Sequence, residues 1–194
     1  PATIEVVSSE FEDAKIEYLA EPQVDGIPSV SVEIELVGRD TDLPEYGSSG
    51  AAGFDLKASL TGFTVEDHVK FGWKDADCEW SRVYKATLTI APGERVMVPT
   101  GVKMALPKNT ELQIRSRSGM AWKKGLIVLN QPGTIDSDYR GEIFVLIVNV
   151  GKEIVAIEHG DRIAQAVLSR FIRIDDFQQV FKLEEGTGGG GGFG

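Results

Sequence analysis

Residues 130–149 read NQPGTIDSDYRGEIFVLIVN, and this stretch decides how the rest of the chain is read. Apolar runs flank its middle, at 125–129 and at 143–148. Between them lie Pro132-Gly133 and the polar string Asp136-Ser137-Asp138-Tyr139-Arg140-Gly141. Turn-forming residues between two strand-like runs predict a β-hairpin. The turn holds more chemistry than a turn requires, because Asp136, Asp138, Tyr139 and Arg140 fall close together. A hydrated loop tip is the plain alternative for such a string, and other stretches must decide between the two.

Outward from the hairpin the pattern is short strands. Segments 86–90, 95–99, 103–106 and 110–115 are strand-like, punctuated by Pro92-Gly93, Pro99-Thr100-Gly101 and Pro107-Lys108-Asn109. Further upstream, Val30, Val32, Ile34 and Leu36 alternate with Ser31, Glu33 and Glu35, which predicts a half-buried strand. Downstream, 160–168 reads as a turn entering a strand, in which Gln165 is polar among apolar neighbours and needs a bonding partner. Residues 177–183 read as a last strand. Closely spaced short strands predict an all-β barrel or sandwich. Residues 1–28 are acidic and weakly patterned, with Phe11, Ile16 and Leu19 in a short amphipathic piece.

The 194 residues suffice for one domain with a real core, plus appendages. A net charge of −10 without any basic run argues against a polynucleotide or anionic membrane partner, while a small anion could still be held by a few well-placed cations. Cys78 is the single cysteine, and His68 and His159 are the two histidines, so an intramolecular disulfide and a multi-histidine metal cage are both excluded. The sequence shows no apolar leader at its start, and its longest apolar run is far too short to span a bilayer. These features predict a soluble, intracellular (cytoplasmic) protein.

Four further stretches carry chemistry. In 51–58, AAGFDLKA, small residues permit close backbone approach, and Asp55 sits between apolar neighbours and needs a partner. In 115–125, RSRSGMAWKKG, a serine at a helix start beside Arg115 and Arg117 makes a natural seat for an anion. A capped surface helix with solvated cations is the alternative. Residues 61–84 break the strand pattern and include Trp73 and Trp80. The tail from 186 to 194 has seven glycines in nine residues, plus Phe193. It is either a flexible linker or an arm that orders over a ligand.

In this order, AAGFDLKA (51–58), RSGMAWKKG (117–125), NQPGTIDSDYRG (130–141), GDRIAQ (160–165) and GGFG (191–194) resemble the five motifs of the trimeric dUTPase family. The resemblance runs from about residue 30 onward. It implies an all-β, dUTPase-like distorted β-barrel or jelly-roll, with a short helix after the second motif and an insertion between early strands. The expected organisation is an N-terminal extension (1–28), a β domain (29–183, with 61–84 inserted) and a Gly-rich arm (184–194). Three departures stand out. Gly188 falls where the family has an arginine, the Ser-Thr-Gly ending after GGFG is absent, and 61–84 lies where relatives have only a few residues.

The resemblance also implies the chemistry: hydrolysis of dUTP to dUMP and pyrophosphate by water attacking the α-phosphorus, with Mg²⁺ as cofactor. Asp136 would be the base, and Asp55 would bind metal-held water. Arg117, Ser118, Gly119 and Gln165 would hold phosphate oxygens. Asn130 with the hairpin backbone at Gly133, Thr134 and Ile135 would pair with the uracil edge. Tyr139 would stack on deoxyribose and obstruct a 2′-hydroxyl, and Phe193 would cover the base. The family shares its site among three chains, so a homotrimer is expected. Two other readings compete. A dCTP deaminase of this fold would carry a glutamate on the strand after the hairpin, where this chain has Phe144-Val145-Leu146-Ile147. A regulatory binder would use residues 61–84, whose tryptophans suit a protein interface.

Overall fold

The computed structural model describes residues 23–24, 27–38, 40–62, 83–84 and 87–182. Its strands are β1 (Gln23–Val24), β2 (Ile27–Pro28), β3 (Glu33–Leu36), β4 (Phe54–Lys57), β5 (Val83–Tyr84), β6 (Thr87–Ile90) and β7 (Arg95–Pro99). They continue with β8 (Val102–Ala105), β9 (Thr110–Arg115), β10 (Leu126–Val128), β11 (Gly133–Asp136), β12 (Phe144–Asn149), β13 (Val155–Glu158) and β14 (Arg162–Arg170). One helix, α1 (Ser118–Lys124), lies between β9 and β10. It falls inside the 117–125 stretch rather than after it.

The apolar arms of the central stretch pair as their sequence predicts. Antiparallel β10 and β12 set Leu126 opposite Asn149 and Val128 opposite Ile147. The segment between them is more than a turn, because β11 leaves this sheet and pairs with β9, Gly133 opposite Ile114 and Asp136 opposite Glu111. The chain therefore builds two sheets from one hairpin. A three-stranded sheet runs β10-β12-β7, and a four-stranded sheet runs β11-β9-β14-β4. Further ladders join β13-β6-β5, β3-β8 and β1-β2.

Period-two alternation fixes which side chains face inward. In β9, Thr110, Leu112 and Ile114 are buried, and in β12, Val145, Ile147 and Asn149 are buried. Leu112, Ile114, Val145 and Ile147 join Leu56, Leu88, Ile90, Val98, Leu126 and Ile157 in one core. Asn149 is fully buried yet satisfied. Its side-chain amide donates to the Ile90 and Glu153 carbonyls at 2.9 and 2.8 Å, and its Oδ1 accepts from Gly151 N–H at 2.9 Å. The other face of β12 is different. Phe144, Leu146 and Val148 are only half-buried, Leu146 lies between Met97 and the residue after β10, and Leu129 is exposed.

Some expectations need correction. The last strand expected at 177–183 is not formed by its described part. Phe177, Val180 and Phe181 stand exposed and outside any ladder, since an alternating pattern makes a strand only where a neighbour offers an edge. The alternation at 30–36 gives a ladder over Glu33–Leu36, but only Val32 and Ile34 pack on the core, leaving Val30 and Leu36 exposed. β13 was not foreseen. The amphipathic piece at Phe11, Ile16 and Leu19, the insertion residues His68, Trp73, Cys78 and Trp80, and the tail with Gly188 and Phe193 lie outside the described residues. The insertion rejoins the fold at β5, where Val83 stands opposite Leu88. Among the described residues, no helix is long and apolar enough to cross a membrane.

Candidate active site

Sheet register assembles the first half of the site. Gln165 on β14 stands opposite Asp55 on β4 and, across its other edge, opposite Arg115 on β9. Side chains from three distant segments thus form one row at one end of the four-stranded sheet. The small residues before β4 serve this pairing. A Cβ on Gly53 would meet the Ala166 carbonyl at 3.1 Å, so the strand start packs directly on β14.

Asp55 has the partner its semi-buried position demands. Its Oδ1 lies 2.6 Å from Arg117 Nε and its Oδ2 lies 3.3 Å from Arg162 Nη1. Arg117 Nη1 also donates to the Arg162 carbonyl at 3.2 Å. Gln165 is bonded, as expected, its Nε2 donating to the Ser116 carbonyl at 2.9 Å. One carboxylate between two guanidiniums leaves a local excess of positive charge within a strongly acidic chain. Of the two arginines flanking Ser116, Arg115 does not join this seat. Its guanidinium turns back along β9 to Gln113 Oε1, at 3.2 and 2.5 Å. The second cation is Arg162, which reaches the Asp55 carboxylate from the neighbouring strand. At a sequence separation of 107, Arg162 and Asp55 gave no local signal.

Arg117 is the N-cap of α1, with extended backbone and no side-chain cap bond, so Ser118 and Gly119 open the helix with their N–H groups uncapped by any side chain. A Cβ on Gly119 would meet nothing within 4 Å, so space lies open in front of it. The helix stops at Gly125, whose left-handed backbone (φ 67°) returns N–H bonds to the last turn.

The second half of the site is the hairpin. Asn130 folds back so that its amide nitrogen would lie 3.3 Å from a Cβ on Gly133. The Gln131 side chain accepts from Ser116 N–H at 3.1 Å. Gly133, Thr134 and Ile135 belong to β11, and the Asp136 carbonyl accepts from Tyr139 N–H at 3.1 Å, closing the tip. Tyr139 folds over Gly141 and donates its hydroxyl to the Glu142 carbonyl at 2.9 Å. Asp136 is exposed.

The hairpin touches the seat through Gln131 and Ser116, but Asp136 at its tip does not reach the seat within one chain. Asp136 stands opposite Glu111, whereas the Asp55–Gln165 row lies beside Arg115. Those positions are four steps apart along β9, about 13 Å at roughly 3.3 Å per residue. A base must come within hydrogen-bond reach of the water it activates. Sequence reading also passed over Glu142. Its Oε1 accepts from Gly101 N–H at 2.8 Å. Burial pushes its carboxyl above the ordinary value, and the Gly101 bond and the Lys103 charge pull the other way.

A dUTPase family profile matches residues 83–194. The chain is 44% identical over 162 residues to the deoxyuridine 5′-triphosphate nucleotidohydrolase of Desulfotalea psychrophila, covering 82% of this chain and 91% of that one. To the protein of the same name from Caldanaerobacter subterraneus it is 39% identical over 155 residues, covering 77% and 88%. Among solved structures, the dUTPase of Streptococcus mutans aligns with a TM-score of 0.56 and 31% identity, over 74% of this chain and 98% of that one. The dUTPase of phage phi11 of S. aureus shares the fold at a TM-score of 0.59 with 20% identity, over 80% and 99%.

Proposed function

The chain belongs to the dUTPase family and hydrolyses dUTP, and from that premise we propose that Asp136 of one subunit works on phosphates held by Asp55, Arg117, Ser118, Gly119 and Gln165 of a neighbour. The observation that carries this reading is the separation of Asp136 from the Asp55–Gln165 row along β9. A homotrimer brings them together. The half-exposed apolar face of β12, with Met97 and Leu129 beside Leu146, supplies a surface that an isolated subunit would leave wet.

Asp136 takes a proton from water as that water attacks the α-phosphorus in line, and the bond to the bridging oxygen breaks to release pyrophosphate. Arg117, the opening N–H groups of α1 and Gln165 hold phosphate oxygens, so the substrate is positioned before the attack. Asn130 and the backbone of Gly133, Thr134 and Ile135 read the uracil edge. A cytosine there leaves polar groups unpaired. Tyr139 stacks on the deoxyribose and obstructs a 2′-hydroxyl, and Phe193, outside the described residues, is assigned to cover the base.

The site suits Mg²⁺. Asp55 offers a hard oxygen donor that is partly accessible. Among the described residues, no three His, Cys, Asp or Glu side chains converge to hold an ion on protein ligands alone. That fits an ion bound chiefly by phosphates and water, with Asp55 reaching one of the waters. When bound, Mg²⁺ supplies charge neutralisation on the phosphate oxygens. A mutant dUTPase from phage phi11 has been solved with a coordinated structural Mg(II) ion.

Pyrophosphate release with Mg²⁺, compared across dUTP, dTTP, dCTP and UTP, tests the reading. It predicts rapid release from dUTP and at least about 100-fold less from the others, through unpaired polar groups for cytosine and through steric obstruction for the thymine methyl and the 2′-hydroxyl. Equal release from dCTP, or ammonia produced from it, rejects it.

A further inference from the structure

We propose that Glu142 is a positioning residue for sugar selection, clamping the hairpin end so that the Tyr139 ring stays where it meets deoxyribose. The inference rests on the reading of Tyr139 given above, and adds to it the group that holds the ring in place.

The geometry begins with a rigid anchor. Gly101 is buried in a left-handed turn (φ 69°), and a Cβ there would fall 2.5 Å from Thr41 Oγ1, 2.8 Å from Ser59 Oγ and 2.9 Å from the Gly38 Cα. Its carbonyl accepts from the Val37 and Gly38 N–H groups at 2.8 and 3.2 Å. A peptide gripped from so many sides has little freedom. Its remaining N–H is taken by Glu142 Oε1 at 2.8 Å.

On its other side, Glu142 holds the exposed hairpin. Its carbonyl accepts the Tyr139 hydroxyl at 2.9 Å, and Gly141 lies under the ring, where a Cβ would sit 2.6 Å from Cζ. Only glycine lets the ring fold down at that point. The next residue is already fixed: Ile143 N–H donates to Val102 at 2.9 Å, and the Ile143 carbonyl accepts the Thr100 hydroxyl at 2.7 Å. Glu142 is therefore the junction between the anchored strand and the free tip. A half-buried carboxylate is a costly way to make one backbone bond. The nearby cation that favours its charge, Lys103, is itself paired with Glu35 at 3.2 Å.

The test compares kcat and KM for dUTP and UTP in wild type, Glu142→Ala, Glu142→Gln, Tyr139→Phe and Tyr139→Ala, with melting temperatures alongside. Glu142→Ala lowers the dUTP-to-UTP ratio of kcat/KM about tenfold, the size of one lost charge-assisted hydrogen bond. Glu142→Gln, which still offers an acceptor to Gly101, keeps most of the ratio. Tyr139→Phe keeps the ring without its tether, folds irrespective of Glu142, and loses part of the ratio. A full ratio in Glu142→Ala or in Tyr139→Phe, beside a reduced ratio in Tyr139→Ala, overturns the positioning role alone. An unchanged ratio in Tyr139→Ala overturns the assignment of Tyr139, and this inference with it.

Discussion

Asp55 and Arg117 are joined by a 2.6 Å contact between Oδ1 and Nε, across a sheet edge that also brings Arg162 to the same carboxylate. The pair is partly exposed, so it adds no more than about 1 kcal/mol to stability. In the proposed function its value lies in holding both groups where the triphosphate would sit. Arg117→Ala is expected to raise KM for dUTP by about 10- to 100-fold, the worth of a lost charge-assisted contact, with a small change in melting temperature. Asp55→Asn is expected to shift the magnesium dependence of the rate to higher concentration. Steady-state kinetics across a magnesium series reads both.

Asp136→Asn keeps size and polarity at the exposed tip while removing the carboxylate proposed as the base. We expect kcat to fall by about 10²- to 10⁴-fold, the usual contribution of a positioned base. Affinity for a non-hydrolysable dUTP analogue, measured by titration calorimetry, stays within about threefold of wild type. A rate near wild type removes Asp136 from the role.

The outer face of β12 makes a separate prediction. Leu146→Arg puts a charge on the half-buried apolar face without touching the core, because Val145 and Ile147 point the other way. Sedimentation equilibrium is expected to show monomers, and turnover to vanish with the assembly. Unchanged assembly and activity place subunit contacts elsewhere.

Glu142 gives a pH dependence of stability. Burial raises its folded pKa above the ordinary 4.5. As pH climbs, the unfolded chain loses this proton first and the folded chain later, so stability falls across that window. The contribution is fully present below about pH 4.5 and is lost as pH rises through the folded value. Glu142→Gln should therefore melt at or above the wild-type temperature at pH 7.5, by no more than about 1 kcal/mol after solvent screening, and match it at pH 4. Thermal melts at the two pH values check the sign.

The strands with regular alternation were readable because their burial is set by their own period. The β12 run FVLIVN and the β9 run TELQIR bury alternate residues as written. The β11 run GTID has no such period, and its strand character comes from β9, a partner outside the hairpin. Residues 177–181 show the converse, a strand-like pattern with no edge to join within the described fold. In the site, Asp55 and Gln165 were readable as polar groups in apolar runs that needed partners, and both have them. Arg162 was not, since an arginine beside Asp161 suggests a local pair, and its actual partner lies across the β4–β14 ladder. Glu142 was hidden because its bond to Gly101 depends on a turn packed tightly from the far side.

The central claim is that the base and the phosphate seat at each site come from different subunits. Mixed assemblies of Asp136→Asn and Gln165→Ala chains, unfolded together and refolded, test it most directly. A shared site predicts recovery of up to about a quarter of wild-type activity, since random assembly pairs an intact hairpin with an intact seat that often. If the mixture stays as inactive as either variant alone, every site carries a defect and the two halves belong to one chain, which contradicts the account.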